Sequence, residues 1–163
     1  MFDAILAQIR TKEELDELIA EVQILLNALY QNGGEAFDSL LKTKVLQKHS
    51  KVFVEVFSKD GIDKKTYLNG LNAKLNKIEF VSIKISFEPS DDFLDRLSYF
   101  VKKNSSLEAV LDIAFDPATL GGAELIYKGN YRDYSFNKIF EQEFQKSRAE
   151  ILKILEEKRA IKN

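Results

Sequence analysis

Between Leu15 and Leu29 the apolar residues recur at the interval of a helix face: Leu15, Leu18, Val22, Leu25 and Leu29, widened by Ile19 and Leu26. Thr11 and Glu14 precede this stripe as a capping box, in which the hydroxyl takes a first-turn N–H and the carboxylate reaches back to the cap. Phe2, Ile5, Leu6 and Ile9 predict a shorter helix before it. Asn32-Gly33-Gly34 predicts its end, because these residues take positive φ cheaply. A second helix fits Glu35 to Lys48, with Phe37, Leu40, Leu41 and Val45 on one face. Lys51–Phe57 reads two ways: its β-branched and aromatic content favours a strand, while its neighbours favour a helix, the reading adopted here. Asp60-Gly61 breaks that segment. Asp63 then caps a third helix running through Lys77, with Leu68, Leu71 and Leu75 turned inward and Gly70 weakening it.

At residue 79 the period shortens. Ile83, Ile85 and Phe87 alternate with Ser82, Lys84 and Ser86, which predicts a strand over 79–87. Ser90 caps a helix whose buried stripe is Phe93, Leu94, Leu97, Phe100 and Val101. Leu107, Ala109, Leu111, Ile113 and Phe115 share one face of a second strand, with Glu108 and Asp112 on the other. Asp116-Pro117 ends it and Gly121-Gly122 opens a third strand over Ala123–Lys128. Gly129-Asn130 makes a tight turn, and Tyr131–Tyr134 returns. A last helix starts at Ser135 or Phe136 and runs to the end. The fold class is therefore α+β. A helical region over residues 1–78 leads into a β-α-β-β-α unit over 79–163 with a long C-terminal helix.

Composition removes several chemistries. The 163 residues contain no Cys and one His, His49. Disulfides, thiolate metal sites, a cysteine nucleophile and a His-His zinc site are thereby excluded. The formal charge is −2, and residues 79–135 carry a net −4, which argues against nucleic acid as a partner. No apolar run approaches the ~18 residues of a membrane span. Met1-Phe2-Asp3-Ala4 has no basic leader pattern, so the expected location is cytoplasmic. Neither a G-x-x-x-x-G-K-[ST] phosphate loop nor a G-x-S-x-G elbow occurs. Strand residues follow Gly121-Gly122, so that pair reads as a backbone bend. Asp91, Asp92 and Asp95 read as complements to a helix dipole, His49 as a solvated helix-end residue, and Tyr127, Tyr131 and Tyr134 as sheet packing. No catalytic residue, cofactor site or metal site is expected.

One pattern exceeds what a small α+β unit needs. Phe140, Phe144, Ser147, Ile151 and Ile154 follow at spacings of 4, 3, 4 and 3, and Ile161 continues the register. Phe136, Ile139, Leu152 and Leu155 flank this seam. It can pack on the Leu15–Leu29 seam of the same chain, or it can dock a helix of another protein.

Residues 110–136, V-L-D-I-A-F-D-P-A-T-L-G-G-A-E-L-I-Y-K-G-N-Y-R-D-Y-S-F, resemble the C-terminal domain of the delta subunit of F-type ATP synthases, the oligomycin sensitivity-conferring protein of mitochondria. The matching positions are Asp116, Pro117, Leu120, Gly121, Gly122, Gly129, Asp133, Ser135 and Phe136, preceded by the β-α lead-in of Glu79–Asn104. The resemblance implies a structural turn at Asp116, Pro117, Gly121, Gly122 and Gly129. It implies a non-catalytic stator subunit that joins the peripheral stalk to the catalytic head so that the head does not rotate. The implied partners are the alpha and b subunits, and the implied place is the cytoplasm, peripheral to the membrane. Phe140, Phe144, Ile151 and Ile154 are the candidate partner-binding residues. Two other classes stay open: an unrelated helix-binding adaptor, and an enzyme using strand-end carboxylates such as Asp112 and Asp116.

Overall fold

The computed structural model describes residues 2–31, 34–104, 109–119 and 121–160. Asn32, Gly33, Leu107, Glu108, Leu120 and Ile161, together with the side chain of Leu155, lie outside the described residues. The chain packs as two units. One comprises residues 1–81 and 90–112, the other residues 82–89 and 113–163. In chain order the elements are α1 (Asp3–Leu6), α2 (Lys12–Gln31), α3 (Gly34–Thr43), α4 (Gln47–Phe57), α5 (Lys64–Leu75), β1 (Glu79–Ile85), α6 (Asp91–Asn104), β2 (Ala109–Phe115), β3 (Ala123–Tyr127), β4 (Asn130–Asp133) and α7 (Phe136–Ala160). The sheet order is β2-β1-β3-β4, with β1/β3 and β3/β4 antiparallel. The sheet is mixed, β1 and β2 being joined through α6. The class is α+β.

The first unit is built around the apolar face of α2. Leu15, Leu18, Val22 and Leu25 are buried there with Phe37 and Leu41 of α3, Phe53 of α4, Leu68, Leu71 and Leu75 of α5, and Val110 of β2. Phe57 stands edge-on to Phe37 at 5.7 Å and to Tyr67 at 5.5 Å. Asp63 caps α5, its carboxylate accepting the Thr66 N–H at 2.7 Å. Gly70 lies in that helix against the Phe2 ring, where a Cβ would stand 3.2 Å from Cζ.

The helix expected over Glu35–Lys48 is two helices, broken at residues 44–46, and Lys51–Phe57 belongs to α4. The break has a long-range cause. Glu21 of α2 accepts the Leu46 N–H on one carboxylate oxygen at 2.7 Å, satisfying the backbone donor of the residue that precedes α4. Its other oxygen lies 2.6 Å from His49 Nδ1. His49 is thus fully buried against Glu21, not solvated as the sequence suggested.

At the start of α2 the Thr11 hydroxyl accepts the Glu14 N–H at 3.4 Å. The Glu14 carboxylate reaches back one residue past the cap, to the Arg10 N–H at 2.7 Å and the Arg10 guanidinium at 2.7 and 3.1 Å. Burial works to raise the Glu14 carboxyl, but Arg10's hydrogen bonds and the Lys48 charge outweigh it, leaving it below its ordinary value of 4.5. The folded chain therefore holds this proton less readily than the unfolded one. The stabilisation is complete above pH ~4.5 and is lost as pH falls through the lower folded value. Replacing Glu14 by Gln should lower stability at pH 7 and flatten the acid limb below pH ~4.5, measured by urea unfolding across pH. An unchanged acid limb would contradict this.

Three sequence patterns shift on folding. In β2 the buried residues are consecutive, Ala109, Val110 and Leu111, while Ile113 is half-buried and Phe115 exposed. Val110 enters the helical core, so both faces of that end of the strand are covered and alternation disappears. In α6 the inward positions are Ser98 and Val101, and Phe100 is 62 % exposed. Phe100 stands about 100° around the helix from Val101. In β1, Val81, Ile83 and Ile85 are buried, but Phe87 lies past the strand end and is exposed.

Candidate functional site

In the second unit, residues far apart in the motif meet around Gly121 and Gly122. The Asp116 N–H donates to the Ile85 carbonyl at 2.9 Å, tying the end of β2 to β1. The Asp116 side chain accepts the Ala118 N–H at 2.9 Å and pairs with Lys84 Nζ at 2.7 Å. Lys84 first, and then the Ala118 N–H, hold the Asp116 carboxyl below its ordinary value. Thr119 is buried; its N–H donates to the Asp116 carbonyl at 3.2 Å, and its own carbonyl accepts from Gly121 at 2.8 Å.

Both glycines take positive φ, +88° at Gly121 and +80° at Gly122. A Cβ on Gly122 would overlap the Tyr134 carbonyl and stand 2.8 Å from Ser135 Cα. On Gly121 it would stand 2.8 Å from the Phe136 ring. The Phe136 N–H donates to the Gly121 carbonyl at 3.1 Å and the Tyr134 N–H to Ala123 at 2.8 Å. Asp133 accepts the Ser135 N–H at 2.8 Å; the Ser135 side chain first, and then that N–H, keep its carboxyl below the ordinary range. The first turn of α7 is thus anchored to the Gly-Gly bend. The β3–β4 turn lies one residue earlier than the sequence suggested: Lys128 and Gly129 are its central residues, with φ of 49° and 76°, and Asn130 pairs with Tyr127. A two-residue hairpin loop of this kind needs positive φ at both positions. Pro117 is exposed in the turn after Asp116.

From this anchor α7 extends 25 residues. Phe140, Phe144, Ile151 and Ile154 are all more than half exposed, and Phe144 reaches 77 %. A groove of about 420 Å³ runs along the seam over the small Ser147, walled by Phe140, Phe144, Ile151 and Leu152 and rimmed by Glu143 and Arg148. Phe136 and Ile139 extend the exposed surface toward the sheet. The α2 seam, which sequence pattern offered as a cover, is filled by α3, α4 and α5 within its own unit. The sequence marked the seam through its 4-3 spacing. Its charged rim went unmarked, although Glu143 and Arg148 have the i, i+5 spacing of residues flanking such a seam.

The remaining candidates have structural partners. Asp91 and Asp95 both bond Arg10, at 3.2 and 2.9 Å, and Asp92 bonds Arg96 at 2.7 Å. Asp112 lies 3.9 Å from Lys12 in the first unit, whereas Asp116 belongs to the second. Tyr131 and Tyr134 are exposed instead of packed, and only Tyr127 is half-buried. Among the described residues no group of three His, Asp or Glu could hold a metal ion, and no helix is long and apolar enough to cross a membrane. No family model and no curated protein matches the chain.

Proposed function

We propose that this chain is a non-catalytic docking subunit of the delta type, joining the peripheral stalk of an F-type ATP synthase to its catalytic head. The observation that carries the reading is the exposed apolar seam of α7, rooted in the Gly-Gly bend. The residues that carry the resemblance support it further: hydrogen bonds run from Asp116 through Thr119 and Gly121 to Phe136, Asp133 bonds Ser135, and Gly122 lies against the Tyr134 and Ser135 backbone. In this reading the seam takes a helix of the stalk, and the chain sits at the membrane periphery through the complex. An unrelated helix-binding adaptor would use the same seam and differ only in its partner.

Burying Phe144 or Ile151 contributes roughly 1.5–3 kcal/mol each before ordering costs. Two or three such contacts support micromolar docking, and a joint under torque needs further contacts. Mixing the chain with the purified helical stalk subunit of its host should give co-elution on size exclusion. Separate elution at tens of micromolar of both would overturn the stator reading. The same reading predicts no ATP hydrolysis and no nucleotide affinity in the isolated chain. Stoichiometric nucleotide binding by calorimetry would contradict it.

A further inference from the structure

A cleft of about 720 Å³ opens in the first unit between the turn after α1, the start of α4 and one face of α6. Its size is that of a small-molecule site. We propose that it binds a small organic anion, a carboxylate, sulfonate or phosphate on an apolar body.

The charges around the cleft are unevenly spent. Its one carboxylate, Asp95, is taken by Arg10 at 2.9 Å, and Arg10 is further occupied by Glu14 and Asp91. Three ammonium groups also border the cleft. Lys102 Nζ donates to the carbonyls of Leu6 and Ile9 at 3.2 and 2.6 Å, using two of its three donors. Lys48 has only a long contact of 3.5 Å to Glu14. Lys103 lies over the Tyr99 ring at 5.9 Å and has no carboxylate partner among the described residues. Unspent cationic capacity therefore collects beside one apolar-walled space, formed by Ala7, the Tyr99 ring and the lysine stems.

The apolar walls set the other end of the ligand: an anionic group meets the ammonium groups while an apolar body lies against Ala7 and the Tyr99 ring. The site shares no residue with the α7 seam, so it stands or falls apart from the docking proposal.

Anilinonaphthalene sulfonate has this make-up, an anion on an aromatic body, and its fluorescence reports binding. Titration should reveal a site that weakens roughly tenfold in Lys48→Glu/Lys103→Glu. Lys146→Glu and the seam variant Phe144→Asp/Ile151→Asp should leave that site unchanged. Lysines 48 and 103 are exposed, so the double variant should keep the fold, at lower stability because Lys48→Glu takes a cation away from Glu14; circular dichroism checks this. Probe binding that follows only the seam residues, or no binding below about 1 mM, overturns the proposal. So does an unchanged affinity in Lys48→Glu/Lys103→Glu.

Discussion

Gly122→Val should destabilise the second unit by about 2–5 kcal/mol, because strain and overlap act together. A β-branched residue at φ +80° pays for a left-handed backbone, and its Cβ cannot coexist with the Tyr134 carbonyl and Ser135 Cα. The chain leading into α7 would have to move, breaking the Phe136-to-Gly121 bond that anchors the helix. Gly129→Ala is the control: its φ is +76°, but a Cβ there meets nothing within 4 Å. It should cost about 1 kcal/mol, the backbone term alone. Urea unfolding measures both. Gly122→Val unfolding at the parent's midpoint would contradict the role assigned to the bend.

Phe144→Asp/Ile151→Asp should leave the fold within about 1 kcal/mol of the parent, since both side chains are exposed and only helix propensity changes. Partner affinity should fall at least about 100-fold, from two lost apolar contacts and two carboxylates forced into an apolar interface. Calorimetry against the stalk subunit reads the affinity, and circular dichroism with urea reads the fold. Unfolding of the variant would instead make the seam part of a core, and the binding surface would then lie on the N-terminal helices or the hairpin.

The elements that sequence pattern predicts well are those specified by nearby residues. Leu15 to Leu25 repeats on one helical face, and Asp63 caps its own helix through Thr66. The errors arise where a distant residue decides. The break before α4 depends on Glu21, 25 positions away from Leu46, and the burial of His49 depends on the same carboxylate. No local pattern around His49 announces a partner on another helix. Val110 upsets the alternation in β2 because helices cover the face that alternation assigns to solvent. For the candidate site, the glycines and the 4-3 seam were legible because backbone conformation and helix period are local properties. Lys84 as the partner of Asp116 was not, since strand pairing brings them together. The cleft was invisible for the same reason: Ala7, Lys48 and Lys103 share nothing in sequence and meet only through packing.

The central claim is that α7 joins this chain to a stator. Its most direct measurement is recovery of the tagged chain from membranes of its own host, with parent and Phe144→Asp/Ile151→Asp side by side and the ATP synthase subunits quantified. The parent should bring down the b and alpha subunits in fixed proportion, and the folded variant should lose them. A parent that recovers neither subunit, or a folded variant that recovers both as well as the parent does, would contradict the account.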